Sequence, residues 1–144
     1  MKHIVLIASF FLLYSCQSSL SVISAKKKMI YPGVPTLMPS TKFVIIVDAK
    51  YPKRVTIDSL TFVENSKCYK MEPYIKTKNS SFVKEIRKEG IYAIEATLKS
   101  PNKRIIANNC STAKNGNLTI FYHDESAAKQ IEIDSFMEEK ETRR

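Results

Sequence analysis

Apolar and polar residues alternate through most of the chain beyond residue 40, and the period is two, which predicts strands. Phe43-Val44-Ile45-Ile46-Val47 is an unbroken apolar run of strand length, suited to the centre of a sheet or to a strand covered on both sides. Val55 and Ile57 share one parity and Leu60 and Phe62 the other, so the inward face switches across Asp58-Ser59 and a β-bulge there restores it. Tyr69, Met71, Pro73 and Ile75 alternate with Lys70, Glu72, Tyr74 and Lys76. Pro73 has no amide donor, which puts that strand at a charged sheet edge or a bulge. Phe82 to Ile86 fits either a strand or one helical turn between Ser80/Ser81 and Gly90, and the strand is preferred. Tyr92, Ile94, Ala96 and Leu98 alternate after Gly90, as do Leu118, Ile120 and Tyr122, and Ile131 and Ile133 close the series. Three prolines between Pro32 and Pro39 make that stretch a turn or polyproline segment, while Pro101-Asn102 and the polar run 108–116 read as loops. No helical stretch exceeds two turns. The pattern therefore predicts an all-β chain folded as an antiparallel β-sandwich of seven or eight strands.

The first 30 residues have a different texture. Lys2 and His3 make a short basic start, ten residues from Ile4 to Leu13 carry no charge, and Ser15-Cys16 follows at once. This is the layout of a signal peptide over residues 1–15, and the apolar run is too short for a membrane-spanning helix of about 20 residues. Leu13-Tyr14-Ser15-Cys16 resembles the lipobox of bacterial lipoproteins, with a leucine three before the cysteine and a small residue at the cut; Tyr14 departs from the usual small or aliphatic residue. The resemblance implies that Cys16 becomes a diacylglycerol-bearing N-terminus, and that Gln17, by likeness to the enterobacterial sorting rule, directs the protein to the outer membrane. The alternative is plain secretion with cleavage after Ala25, at Ile23-Ser24-Ala25, which would discard Cys16. The serines and the run Lys26-Lys27-Lys28 read as a linker over 16–28, either simply solvated or gripping acidic headgroups. The folded domain then spans 29–136, and 137–144 is a polar tail of mixed charge.

Composition sharpens this picture in two respects. A chain of 144 residues, 44% hydrophobic and 26% charged, holds one core, and three glycines exclude a collagen-like repeat. Its 23 Lys+Arg against 14 Asp+Glu give +9; removing Lys2 with the signal leaves 22 against 14, so the basic surplus belongs to the domain. Such a surface attracts anionic glycans or acidic proteins, and the loop cations Lys50, Lys53, Arg54, Lys103 and Arg104 are the candidate contacts. Export argues against nucleic acid as the partner. Cys68 and Cys110 remain as an even pair in a compartment that permits oxidation, so a disulfide is expected, against two buried free thiols.

Catalytic and cofactor motifs are missing. There is no Gly-x-Ser-x-Gly, Walker loop, His-Glu-x-x-His or Cys-x-x-Cys, and a metal site built on the cysteines with His123 lacks any close ligand spacing. His123-Asp124-Glu125 reads as a solvated hairpin turn, and Glu85 with Glu95 as a carboxylate pair whose separation the sequence does not give. Glu89-Gly90-Ile91-Tyr92-Ala93-Ile94-Glu95-Ala96 resembles the Gly-x-Tyr-x-φ-x-Ala turn and strand found late in immunoglobulin-like bacterial domains, which implies that topology within the sandwich class and no function. Asp58-Ser59-Leu60 resembles the acceptor of a bacterial O-glycosylation system, making Ser59 a candidate modification site; Asp134-Ser135-Phe136 is a looser match. The expectation is a non-catalytic envelope lipoprotein without cofactor that binds an envelope protein or anionic glycan. A small hydrolase or a secretion-machine accessory is the alternative.

Overall fold

A computed structural model describes residues 18–34, 36–50, 54–99, 114–125 and 127–143. The signal segment 1–15, Cys16, Lys53, Lys103, Arg104 and Cys110 lie outside the described residues.

The described chain is all-β, with ten strands: β1 (Leu20–Tyr31), β2 (Ser40–Ala49), β3 (Thr56–Glu64), β4 (Lys67–Met71), β5 (Tyr74–Thr77), β6 (Phe82–Val83), β7 (Gly90–Lys99), β8 (Leu118–His123), β9 (Ala128–Ile133) and β10 (Met137–Thr142). They form a six-stranded sheet in the order β10-β1-β2-β7-β5-β6 and a four-stranded sheet in the order β4-β3-β8-β9. Every pairing is antiparallel except β1 with β10. The sheets share one core to which both contribute alternate residues: Phe43, Ile45 and Val47 of β2 and Ile94, Ala96 and Leu98 of β7 on one side, Leu60, Phe62, Leu118, Ile120 and Tyr122 on the other. Phe43 and Phe62 meet between the layers with ring centroids 4.8 Å apart. This is a β-sandwich.

The period-two reading places most strands. The apolar run Phe43 to Val47 lies in β2, third of six strands in its sheet, with its odd residues fully buried and Val44 and Ile46 half-buried on the outer face. The register of β3 against β8 shifts between Ile57 and Ser59, where the sequence asked for a bulge. The stretch around Pro73 is not one strand: β4 ends at Met71 in one sheet and β5 starts at Tyr74 in the other, so the residue that cannot donate to a ladder stands at the crossing. Phe82 and Val83 form β6, the chain bends at Lys84 and Glu85, and Ile86 bridges Val55. A two-residue hairpin, Asn65-Ser66, joins β3 to β4 with φ of 51° and 62°, the positive values that match strand twist in such turns.

Both chain ends correct the sequence reading, and together with the division of the stretch around Pro73 into β4 and β5 they account for ten strands against seven or eight. Residues 20–31, expected as the latter part of a linker over 16–28 and the entry to the domain, form the 12-residue strand β1. Residues 137–142 of the expected polar tail form β10 beside it. β1 pairs with β2 from Leu20 to Ile30 and buries Leu20, Ala25 and Ile30, and charge pairs line its other edge with β10. Lys26 lies 2.8 Å from Glu139 and Lys27 3.9 Å from Glu138, and Lys28 pairs with Glu141. Lys27 also stands 5.3 Å from the Phe62 ring centre. Three successive lysines therefore suit a strand whose neighbour supplies carboxylates, and the three are engaged within the fold.

The hydrogen bond from Lys26 holds Glu139 below the ordinary carboxylate range, that from Lys28 does the same for Glu141, and Glu141 in turn raises Lys28. A lowered carboxylate adds stability above its unfolded-state pKa and loses it as pH falls through the folded one. Strand β10 should stay ordered at neutral pH and loosen below about pH 4, given the ordinary Glu value of about 4.3. Heteronuclear NOEs of the amides of residues 138–142 should fall there while those of β2 persist; an ordered β10 at pH 3 would show that charge is not what holds it.

Candidate functional site

One end of the sandwich gathers the β2–β3, β6–β7 and β8–β9 connections around the start of β1. Leu20 opposes Ala49, Ala49 opposes Gly90, and Thr56 opposes His123, which places these five strand ends on one rim. Gly90 begins β7 at φ +144°, a conformation that L side chains rarely adopt. Ser19, 3% exposed, donates its hydroxyl to Asp124 Oδ2 at 2.9 Å and accepts the Lys50 amide on its carbonyl at 3.3 Å. Asp124 is itself buried and also takes the Lys129 ammonium at 2.7 Å and the Ala127 amide at 3.2 Å. Beside it His123 Nδ1 lies 2.8 Å from Asp58 Oδ1. Glu85 receives Arg54 at 3.2 Å and Arg87 Nε at 2.6 Å.

The second concentration of chemistry lies on the β5–β6 edge. Tyr74 and Phe82 are 58% and 67% exposed, and their rings meet edge to face at 6.3 Å. The Lys76 ammonium stands 5.1 Å from the Phe82 ring centre and 3.0 Å from Glu95. A groove of about 550 Å³ runs beside the pair, lined among others by Ile57, Pro73, Val83 and Lys84. Glu95 takes Lys42 from the other side at 2.9 Å. Burial alone would raise the Glu95 carboxyl, but hydrogen bonds from Lys42 and Lys76 outweigh it and hold it below the ordinary range. A platform of two exposed rings flanked by ammonium groups can stack on an apolar face of a ligand and attract its negative charge.

Among the residues singled out in the sequence, Lys50 and Arg54 are exposed on the loop end, but Arg54 is already bound to Glu85. Their companions Lys53, Lys103 and Arg104 lie outside the described residues. Ser59 is half-buried at the β3 bulge, and the adjacent Asp58 carboxylate is engaged by His123. Cys68 is buried on β4 opposite Val63, on the parity other than that of the core residues Tyr69 and Met71, so its sulfur points away from the inter-sheet core. Glu85 and Glu95 are each held by cations of their own. The turn at His123 is solvated at His123 and Glu125 but not at Asp124. Sequence reasoning missed two features: buried Asp124, whose donor Ser19 is 105 positions away, and the Tyr74–Phe82 platform, whose two aromatics on the polar parity were a visible signal.

No family model matches the chain, and no curated protein or solved structure matches it either.

Asp124 accepts from a hydroxyl, an ammonium and an amide, so Asp124→Ala should cost about 1–3 kcal/mol by stranding buried donors. The urea midpoint should fall with the slope unchanged. An unshifted midpoint would show that the cluster contributes nothing to the fold.

Proposed function

We propose that the protein is an outer-membrane lipoprotein, anchored through Cys16, whose sandwich is a non-catalytic binding module for an acidic glycan. The observation that carries the binding reading is the exposed Tyr74–Phe82 pair with Lys76 and Lys84 beside its groove. Exposed aromatic rings that meet each other on a sheet edge are uncommon unless something covers them, and sugar rings offer the apolar C–H faces that stack on such a pair. The surrounding lysines favour uronate, phosphate or sulfate groups over neutral sugars. The signal-like start and the Leu-x-Ser-Cys motif support the anchor, and the absence of recognisable catalytic motifs supports a role in binding.

An immunoglobulin-like topology is part of this proposal. The orders β1-β2-β7-β5 and β3-β8-β9 correspond to the A-B-E-D and C-F-G sheets of such domains, with β4 added beside β3. In that correspondence the Gly90–Ala96 motif falls on the fifth position rather than late in the domain. Its tyrosine still acts as a corner residue, donating from Tyr92 OH to the Lys88 carbonyl at 2.9 Å. We also propose the Cys68–Cys110 bridge. Its support is a buried Cys68 of disulfide-bonded type and the even cysteine count left after the signal is removed.

Three measurements test these points. On an array of neutral and uronate- or sulfate-bearing oligosaccharides, the protein should bind the acidic members, and Phe82→Ala should weaken binding about tenfold, the loss of one stacking contact of about 1.4 kcal/mol, whereas His123→Ala should leave it unchanged. Equal binding by Phe82→Ala would remove the platform from the site. Non-reducing peptide mapping should link the Cys68 and Cys110 fragments, and reduction should lower the melting temperature by several degrees, since closing a loop of about 42 residues contributes about 4 kcal/mol. Intact mass should show diacylglycerol on Cys16; a mature chain beginning near Lys26 would overturn the anchor.

A further inference from the structure

We infer that the loop end of the sandwich is pressed against an anionic lipid surface, with Ile23 and Ile91 at headgroup level and Lys50 and Lys88 among the phosphates. The inference rests on the proposed lipid at Cys16. Chain length carries it. Ser19 is already fixed in the fold through Asp124 and Lys50, and only three peptide steps separate it from Cys16. Fully extended they span at most about 11 Å, little more than the headgroup layer, which takes roughly 5–7 Å on each side of a bilayer. The expected linker of 13 residues would have let the domain tumble; the observed start of β1 does not. The rim that holds Ser19 must therefore face the membrane, while the β1–β2 connection at the other end stands about 40 Å away, the rise of a 12-residue strand.

The surface of that rim suits the position. Lys50, Arg54, Arg87 and Lys88 are exposed there, and of these only Arg54 and Arg87 are ion-paired among the described residues, both to Glu85. Exposed Glu89 and Glu125 oppose the cations, and Asp58 is engaged by His123. Two large apolar side chains also stand out near the rim. Ile91 follows Gly90 and is 52% exposed, and Ile23 sits at the register shift of β1 and is 55% exposed. The lysines that sequence reading offered to headgroups, Lys26 to Lys28, are paired with β10 instead.

The chain contains no tryptophan, so one introduced tryptophan is a background-free probe. Ile91→Trp and Leu37→Trp replace exposed apolar residues at opposite ends of the sandwich. Each full-length, lipid-modified protein is reconstituted into vesicles containing phosphatidylglycerol and a dansyl-headgroup lipid, and energy transfer from tryptophan is read after intact mass has established the lipid on Cys16. Transfer should be several-fold greater from Ile91→Trp than from Leu37→Trp, and greater on phosphatidylglycerol than on phosphatidylcholine. Lipid on Cys16 with equal or reversed transfer from the two sites overturns the orientation and leaves the anchor standing. Absence of lipid overturns the anchor and the orientation together, and equal transfer on the two lipids overturns the part played by the lysines.

Discussion

The contact on which the fold turns is the meeting of two sheets through Phe43 and Phe62, with Phe136 closing on Phe43 at 5.7 Å from the β9–β10 connection. A sheet buries one face only when a second sheet covers it, and the alternating side chains of β2, β3, β7 and β8 then have one permitted register. A shift of one residue along β2 would send Phe43, Ile45 and Val47 to the outer face and bring Val44 and Ile46 inward. The bulge at Asp58 exists for the same reason: it lets Ile57 and Leu60, on opposite parities, both enter the core. Secondary features such as the hairpin at Asn65-Ser66 and the crossing at Pro73 serve this layer arrangement.

The sandwich was legible because burial writes itself into the sequence as alternation, and alternation is local. Its terminal strands were not. Lys26-Lys27-Lys28 taken alone is a solvated run, and the carboxylates that pair with it lie over a hundred residues further on. No window of sequence holds both halves of such a pairing. Asp124 hid for the same reason, standing in a run of polar residues with its donors Ser19 and Lys129 in other elements. Tyr74 was read as the polar-parity member of an alternating strand and Phe82 as the start of a stretch that fitted strand or helical turn; that their rings meet depends on a β5–β6 register set at the turn between them.

The basic surplus takes a different meaning once ion pairs are drawn. Many of the cations that composition counted are spoken for: Lys26 and Lys28 by β10, Lys42 and Lys76 by Glu95, Arg54 and Arg87 by Glu85, Lys129 by Asp124. Apart from the pair with buried Asp124, such pairs are screened by solvent and contribute little to stability. Their effect is on specificity of arrangement, because they leave net positive charge concentrated at fewer places than the sequence suggests.

Pairing the first strand with the last also has a temporal side. A chain emerges from synthesis with β1 ahead of β10, so the outer edge of β1 waits for its partner until more than a hundred further residues have been made. During that interval a long strand offers unpaired amides and carbonyls to any neighbouring chain, the situation that leads to edge-to-edge aggregation. Three lysines in a row repel a second copy of the same edge and admit only a strand carrying acids. The charges that look like ordinary stabilising bridges in the finished domain thus act earlier as a guard, keeping nascent copies apart until each closes on its own β10.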